Sequence, residues 1–171
     1  TSMLDVGGGS GAFSIMACKR YPNLHATVLD FPNVIEVGKR FVAEEEMANR
    51  IDFMAADGTK SAWPGDQDLD LMSYLFSGVP ENAIPDLCTQ AFAALKPGGR
   101  VAVHDFMVGD ERNGPPLAAL WQLQHMVYTP DGVGLTPGFI REALVTAGFE
   151  IDQCRDLISG MTQAMVGHKP S

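Results

Sequence analysis

Long apolar runs and basic residues are both scarce in this chain. Among its 171 residues, no apolar run reaches the roughly 18 residues that a membrane-spanning helix needs, so we expect no membrane segment and no membrane partner. The 12 Lys and Arg residues are outnumbered by 21 Asp and Glu residues, which gives a formal net charge of -9. This balance argues against a nucleic-acid partner, because nucleic acids bind to basic surfaces.

Cysteine is also scarce. Cys18, Cys88 and Cys154 are far apart in the sequence and odd in number. They form neither a disulfide framework nor the spacing of a metal site, so we expect no metal and a reducing compartment. A signal peptide is not visible, and together these features predict a cytoplasmic protein.

The apolar content is high enough for a well-packed core. Hydrophobic residues make up 46% of the sequence, and the length suits one compact domain, so we treat residues 1–171 as a single domain. The sequence starts at Thr1, almost directly on its first predicted strand. We therefore expect a fragment that lacks an N-terminal part.

Predicted strands and helices alternate along the chain. Strands are predicted at 2–6, 25–29, 51–55, 68–75, 101–106, 149–154 and 161–166. Helices are predicted at 12–20, 32–43, 81–95, 117–128 and 137–147, the last capped by Thr136 and ended by Gly148. Residues 96–100 and 129–132 read as turns. This alternation predicts an α/β fold: a Rossmann-like, doubly wound, mostly parallel sheet closed by a C-terminal antiparallel strand pair.

Three consecutive glycines, Gly7, Gly8 and Gly9, lie between the first strand and the first helix. Glycine permits backbone angles that other residues avoid and lets a ligand approach backbone N–H groups closely. The spacing Gly7-x-Gly9-x-x-Ala12 also satisfies the loose dinucleotide fingerprint. The loop alone therefore does not separate a nicotinamide cofactor from another ligand that contains adenosine.

Two carboxylates follow neighbouring strands. Asp30 ends the second strand, where an acidic side chain accepts hydrogen bonds from ribose hydroxyls. Asp57 follows the third strand and is placed to accept from an adenine amino group, with Phe31 or Met54 against the ring. A nicotinamide dehydrogenase explains neither the turn at Pro97-Gly98-Gly99 nor the closing strand pair.

Four motifs come in a recognisable order: Asp5–Gly11, Leu29–Ile35, Ala56–Gly58 and Leu95–Arg100. Together they resemble S-adenosylmethionine-dependent class I methyltransferases, and more narrowly the plant caffeate-type O-methyltransferases and their bacterial relatives. The resemblance implies S-adenosyl-L-methionine as cofactor. The cofactor contacts that it implies are Asp5, Gly7, Gly8, Gly9, Asp30, Phe31, Asp57, Gly58 and Ser73, which stands where many plant members have a lysine. It also implies an N-terminal dimerisation domain, absent here, and a homodimeric full-length protein.

The catalytic pattern of that family is incomplete in this sequence. Ser77 occupies the position of the family's histidine base, and serine cannot act as a base near neutral pH. The two acids that orient that histidine correspond to Asp105 and Gly134. His104, beside Asp105, and His125 are the remaining candidate bases. Because side chains alternate along a strand, at most one of His104 and Asp105 points into a given pocket.

The helix at 117–128 corresponds to one that lines the acceptor pocket in the family. Trp121, His125 and Tyr128 are therefore the predicted substrate-binding residues. The expected function is methylation of a hydroxyl on a small aromatic or secondary metabolite. Methylation at carbon or nitrogen, a repurposed reaction and a non-catalytic cofactor-binding domain remain open, with nicotinamide binding a more distant alternative.

Overall fold

The computed structural model describes residues 1–128 and 134–171, apart from the side chains of Met126 and Tyr128. Strands and helices alternate as predicted. In chain order the elements are β1 (Ser2–Val6), α1 (Ala12–Arg20), β2 (His25–Asp30), α2 (Pro32–Glu44), β3 (Ile51–Ala55), β4 (Gln67–Ser73), α3 (Ile84–Ala94), β5 (Leu95–Asp105), α4 (Pro116–Tyr128), α5 (Pro137–Ala147), β6 (Glu150–Ile158) and β7 (Thr162–His168).

The strands form one seven-stranded sheet in the order β3-β2-β1-β4-β5-β7-β6. Strands β1 to β5 pair in parallel, whereas β7 runs antiparallel to both β5 and β6. The predicted fold class is therefore confirmed. The strand order reverses between β1 and β4, and a crevice forms there at the carboxyl ends of the strands.

Both faces of the sheet are buried. On one face Leu4 and Val6 join a core that includes residues of α3 and α5. On the other face Met3 packs with Ile15 of α1 and Val42 of α2. Burial on both sides explains why β1 reads as a nearly continuous apolar run instead of alternating. Helix α4 packs separately, against the end of β5, through Ala118.

Both predicted ends of α5 are confirmed. The Thr136 hydroxyl oxygen accepts a hydrogen bond from the Phe139 N–H at 3.1 Å, and Gly148 ends the helix with φ +109°. A second support comes from Asp110, whose Oδ1 accepts from the Gly138 N–H at 2.8 Å. Side-chain oxygens thus accept hydrogen bonds from two backbone N–H groups in the first turn of α5, which is the arrangement that helix capping provides.

Several element boundaries differ from the sequence prediction. Strand β4 ends at Ser73 and not at residue 75, because Tyr74 adopts a left-handed conformation with φ +57°. Helix α3 starts at Ile84, after one turn of 3₁₀ helix at Glu81–Ala83.

The predicted turn at residues 96–100 lies within β5. Gly98 has φ +75°, but its N–H bonds to the Lys169 carbonyl, and the Lys169 N–H bonds to the Gly99 carbonyl. The C-terminal residues thus continue the sheet pairing across the turn. The predicted turn at 129–132 lies outside the described residues. None of the described helices combines the length and hydropathy needed to cross a membrane.

Candidate functional site

The glycine loop after β1 needs glycine for both conformation and space. Gly7 and Gly9 have φ values of +69° and +60°. A Cβ on Gly7 would lie 2.9 Å from Leu75 Cδ1, and one on Gly8 would lie 2.7 Å from Asp5 Cγ. The loop therefore runs too close to its neighbours for any side chain at these two positions, and its backbone faces the crevice.

Asp5 lies beneath this loop. Its side chain is fully buried, and Oδ2 accepts a hydrogen bond from the Ser14 hydroxyl of α1 at 2.7 Å. Burial raises the pKa of Asp5 to about 6; the Ser14 hydrogen bond opposes this shift, and the nearby Asp30 charge adds to it. The geometry gives Asp5 a supporting place under the loop.

Asp30 fastens the loop to the end of β2. Its Oδ2 accepts from the Gly9 N–H at 2.8 Å, and its Oδ1 accepts from the Phe31 N–H at 2.7 Å. Each carboxylate oxygen accepts more than one hydrogen bond, so the two oxygens retain capacity for a pair of hydroxyl donors. The sequence places Asp30 at the strand end, and the fold turns its carboxylate toward the crevice.

Asp57 is held in its ionised form. Its Oδ2 accepts from Lys60 Nζ at 2.8 Å, and its Oδ1 accepts from the Thr59 hydroxyl at 2.7 Å and the Thr59 N–H at 3.0 Å. The hydrogen bond from Lys60, followed by those from Thr59, lowers the pKa of Asp57 to about 2. Next to it, Trp63 Nε1–H donates to the Gly58 carbonyl at 2.9 Å, which fixes the turn.

These residues meet around one pocket. Five of the predicted cofactor contacts line it: Gly7, Asp30, Phe31, Asp57 and Gly58. Leu75, Val79 and Leu87 add an apolar part to the lining. Leu75 follows β4 and is among the residues that the strand-end rule selects, whereas Val79 and Leu87 were missed because they look like ordinary core residues.

A chain of aromatic rings lies at the carboxyl ends of β4 and β5. The Tyr74 ring centroid is 4.6 Å from that of His104, and 5.3 Å from that of Phe106. Phe106 stacks on Trp121 at 4.2 Å with an interplanar angle of 15°. Phe13, at the start of α1, lies 5.9 Å from His104 in an edge-on arrangement. These rings form an aromatic cluster in which Phe106 and His104 are buried and the interplanar angles range from 15° to 78°. Among its members, Trp121 is a predicted substrate-binding residue and His104 a candidate base.

His104 and Asp105 point to opposite faces of β5, as the strand alternation predicted. Ser73 Oγ lies 2.8 Å from His104 Nδ1, whereas Asp105 Oδ2 accepts from the Ser77 N–H at 3.0 Å. Burial lowers the pKa of His104. Burial raises the pKa of Asp105, while the N–H groups of Ser77 and Phe106 and the charge of His125 act against that shift. Ser73 therefore contacts His104 and is not part of the pocket lining.

Ser77 does not replace a histidine base. Its side chain is buried, and its Oγ has no hydrogen-bond partner among the described residues. Asp105 instead binds the backbone of Ser77 and ties the segment after β4 to the end of β5. The other orienting acid of the family corresponds to Gly134, where a Cβ would lie 2.7 Å from Arg112 Nη1 and 2.9 Å from Gln122 Oε1. A side chain there would require the ends of Arg112 and Gln122 to move, and glycine itself supplies no acid at this position.

His125 lies at the edge of the aromatic cluster. Its ring centroid is 5.1 Å from that of Trp121, and the side chain is partly exposed. The Asp105 charge interacts with it across the end of β5. The third predicted acceptor residue, Tyr128, ends α4, but its side chain lies outside the described residues.

The fold and the site together define a class of protein. A sheet in this order, a glycine loop after β1 and carboxylates after β2 and β3 are the features of a Rossmann-like nucleoside-binding domain. Residues 1–150 match the family described as the O-methyltransferase domain. The chain belongs to this family, as the sequence motifs predicted.

Individual relatives agree with this assignment. The chain is 34% identical over 127 residues to 3-hydroxy-5-methyl-1-naphthoate 3-O-methyltransferase of Streptomyces sahachiroi, an alignment that covers 74% of the chain and 37% of the relative. It is 33% identical over 156 residues to acetylserotonin O-methyltransferase of Gallus gallus, covering 91% of the chain and 44% of the relative. The chain thus spans less than half the length of these relatives.

Solved structures give the same result. Human N-acetylserotonin methyltransferase, solved in complex with S-adenosylmethionine, superposes with a TM-score of 0.88 at 28% identity. The superposition covers 99% of this chain and 48% of the human chain. The similarity therefore extends over all the elements from β1 to β7 and confirms the predicted architecture.

Proposed function

We propose that residues 1–171 form the S-adenosylmethionine-binding domain of a methyltransferase that acts on a hydroxyl of a small aromatic or secondary metabolite. The observation that carries this proposal is the pocket bounded by Gly7, Asp30 and Asp57 beside a cluster of aromatic rings. Membership of the O-methyltransferase family supports the reaction type.

The residues present fit this cofactor. Gly7 and Gly8 carry no side chain, so a ligand in the crevice can approach the loop backbone closely. Asp30 retains acceptor capacity for the two ribose hydroxyls. The ionised Asp57 and the half-exposed ring of Phe31 suit an adenine edge and face. The bound cofactor would supply a sulfonium methyl group to the acceptor oxygen.

The chain's own residues then align the acceptor and exclude water. Stacked rings such as Phe106 and Trp121 position a planar acceptor at little entropic cost. His125 is the better placed of the two candidate bases because its side chain is partly exposed and lies beside Trp121. His104 is more than nine-tenths buried, and burial lowers its pKa.

Calorimetry on the full-length protein tests cofactor binding. We expect S-adenosylhomocysteine to bind and NAD to bind much more weakly. The Asp30→Asn variant should lose about tenfold or more in affinity, because a hydrogen bond to a charged acceptor contributes about 1.5–3 kcal/mol. Asp52→Asn, an exposed substitution on the neighbouring strand β3, is the control. Tight NAD binding without binding of S-adenosylhomocysteine would overturn the proposal.

Kinetics across pH test the proposed base. If His125 removes the acceptor proton, His125→Gln should lower kcat by about 10²–10⁴-fold and change the pH dependence of the rate. The affinity for S-adenosylhomocysteine should stay within twofold of the parent value. An unchanged pH profile in this variant would exclude His125 as the base.

One observation favours a second candidate function. Ser77 stands in place of the family's histidine and is buried against Asp105, so the usual base is missing from its position. Methylation at nitrogen, which does not require ionisation of a hydroxyl, is compatible with this. Mass spectrometry with fragmentation of the product distinguishes an O-methyl group from an N-methyl or C-methyl group.

We also propose that the full-length protein is a cytoplasmic homodimer. The three cysteines are free, which suits a reducing compartment. Helix α4 exposes Leu117, Leu120, Leu123 and Val127, an apolar surface that suits contact with a further part of the full-length dimer. Light scattering should give twice the monomer mass for the full-length protein. A monomeric parent protein would contradict the dimer.

A further inference from the structure

Thr59 is a residue of the cofactor pocket that has no assigned role. Three residues with polar side chains line this pocket: Asp30, Asp57 and Thr59. The sequence motifs select the two carboxylates and pass over Thr59. It lies two residues after Asp57, in the turn that follows β3, and its side chain is partly buried. The contact between Thr59 and Asp57 therefore belongs to the pocket lining.

The backbone of this turn is fixed from two sides. The Lys60 N–H donates to the Asp57 carbonyl at 3.0 Å, which closes the turn. The Gly58 carbonyl accepts from Trp63 Nε1–H at 2.9 Å and from the Gln90 side chain at 3.4 Å. With the backbone held in this way, the orientation of the Asp57 carboxylate depends on the donors around its two oxygens.

Hydrogen bonds within the turn set that orientation. Asp57 Oδ1 accepts from the Thr59 hydroxyl at 2.7 Å and from the Thr59 N–H at 3.0 Å. A carboxylate oxygen has two lone-pair directions, so Thr59 occupies both directions of Oδ1. Oδ2 accepts from Lys60 Nζ at 2.8 Å and keeps its second direction. A hydrogen-bond donor on a ligand in the pocket therefore finds its acceptor on Oδ2.

Thr59 and Lys60 hold the carboxylate with different strength. The Lys60 side chain is 80% exposed, whereas that of Asp57 is 24% exposed. An ion pair to an exposed lysine is weak and is screened by salt. Thr59 is partly buried and supplies two donors to a single oxygen. Thr59 therefore fixes the plane of the carboxylate, and Lys60 mainly balances its charge.

We propose that Thr59 is a positioning residue for the cofactor, because it holds Asp57 so that Oδ2 accepts a hydrogen bond from the 6-amino group of the purine. This inference rests on the proposed function and adds to the same site a residue that determines purine selectivity. A site built to bond a particular donor rejects a ligand that lacks this donor, since its own polar group is then left unpaired. Thr59 acts on the purine through Asp57.

Calorimetry with two ligands measures this selectivity without turnover. The ligands are S-adenosylhomocysteine and its 6-deamino analogue, which has hydrogen in place of the amino group. The full-length parent protein should bind the analogue about tenfold or more weakly, because a hydrogen bond to a charged acceptor is lost. Thr59→Val, which keeps the branched shape but lacks the hydroxyl, should lower this ratio of dissociation constants about threefold or more. Thr59→Ser, which keeps the hydroxyl, should retain the parent ratio.

Two control variants isolate the hydroxyl in the pocket. Thr89→Val makes the same chemical change on the exposed side of α3, where the Thr89 hydroxyl donates to the Pro85 carbonyl at 2.9 Å. Its ratio should equal that of the parent. Lys60→Gln should change the ratio less than Thr59→Val does. A fall in either control as large as the fall in Thr59→Val would contradict the proposal.

A double-mutant cycle separates positioning from direct contact. In Asp57→Ala the ratio should fall toward one, because the acceptor is gone. Adding Thr59→Val to this variant should change the ratio no further, since Thr59 acts through Asp57. A further fall in the double variant would mean that Thr59 contacts the purine itself, which overturns the positioning role. Thermal unfolding of each variant verifies that it is folded.

The outcomes separate this inference from the proposed function. If the parent protein binds both ligands equally well, or if Thr59→Val keeps the parent ratio, the role of Thr59 is overturned and the methyltransferase proposal stands. If the parent protein binds neither ligand, the proposed function is overturned, and this inference with it.

Discussion

At the scale of single residues, Asp70 is the most unusual group outside the site. It lies in the middle of β4, paired with Leu4 on β1 and Val101 on β5. The side chain is fully buried, and neither carboxylate oxygen has a hydrogen-bond partner among the described residues. Burial raises the pKa of Asp70 from 3.8 to about 8, so the group is neutral at pH 7. A charged form here would be strongly destabilised.

This burial makes stability depend on pH. In the unfolded chain Asp70 ionises near its ordinary pKa, whereas in the folded chain it keeps its proton up to about pH 8. The contribution of Asp70 to the free energy of unfolding is fully present below the pKa that Asp70 has in the unfolded chain. It falls as the pH rises toward the pKa that Asp70 has in the folded chain. The loss is about 1.4 kcal/mol per pH unit while only the unfolded form is ionised.

Asp70→Asn should therefore stabilise the protein at neutral and alkaline pH. The uncharged amide has almost the same shape and does not titrate, so we expect a gain of about 1–4 kcal/mol at pH 8 and a smaller change near pH 4. Urea unfolding at several pH values measures the change in unfolding free energy at pH 8 and near pH 4. Asp68→Asn is the control, because Asp68 is partly exposed and paired with Lys96 at 2.7 Å. That variant should lose under about 1 kcal/mol at pH 7. A variant at Asp70 that is less stable than the parent at pH 8 contradicts this account.

At the scale of elements, the glycine loop depends on a helix that is distant in sequence. A Cβ on Gly38 of α2 would lie 2.8 Å from the Gly9 carbonyl oxygen and 3.0 Å from Phe53 Cε1. Gly38 is buried, and it lets α2 lie directly against the loop. The sequence pattern presents Gly38 as an ordinary residue of a helix, and only the packing shows that it shapes the cofactor loop.

Gly38→Ala should destabilise the protein and weaken cofactor binding. The gain in helix propensity, about 1 kcal/mol, is smaller than the overpacking penalty of about 1–3 kcal/mol because backbone lies in the way. We expect a lower midpoint of thermal unfolding and a higher Kd for S-adenosylhomocysteine. Gly65→Ala is the matched control, since a Cβ there meets no described atom within 4 Å. Equal or higher stability for Gly38→Ala would show that α2 yields to the new methyl group.

The cap of α5 gives a second prediction at this scale. Thr136→Ala removes the hydrogen bond to the Phe139 N–H and should cost about 1 kcal/mol of unfolding free energy. Thr146→Ala, an exposed substitution on the same helix, should be neutral or slightly stabilising because alanine favours helix. Urea unfolding of the two variants side by side provides the comparison. A loss of similar size in both would assign the effect to the helix in general and not to the cap.

At the scale of the whole molecule, the formal net charge of -9 opposes compaction. Ion pairs between exposed side chains offset this only weakly. Both partners of Lys39–Glu36, and Lys60 of the Lys60–Asp57 pair, are more than half exposed, and exposed pairs contribute about 0–1 kcal/mol each. We therefore expect salt to change stability more by screening the repulsion among the excess carboxylates than by weakening these ion pairs.

We predict that added salt raises thermal stability. Between about 0.01 and 0.5 M NaCl the Debye length falls from about 30 Å to less than 8 Å, which screens long-range repulsion more than the short-range contacts. The midpoint of unfolding measured by calorimetry should rise by a few degrees. Sodium sulfate also strengthens apolar burial, so NaCl is the salt to use. A falling midpoint would mean that the ion pairs, and not the net charge, dominate.

The sequence was informative where a single local rule applies. The alternation of strands and helices, the Gly7–Gly9 loop and the Thr136 cap follow from backbone angles and hydrogen-bond capacity, which neighbouring residues determine. The end of β4 was predicted two residues late because the left-handed angle of Tyr74 has no local signal. The apolar lining at Val79 and Leu87 was missed because a residue that lines a pocket and one that fills a core have the same composition.

The sequence by itself determined the fold class, the family and the positions of Asp30 and Asp57 at neighbouring strand ends. Only the tertiary structure decided that Gly38 shapes the loop, that Asp70 is buried without a partner among the described residues, and that His104 bonds to Ser73 while Asp105 bonds to Ser77. The reason is physical. Parallel strands bring residues about thirty positions apart into register, and hydrogen bonds between them depend on that register and not on local sequence.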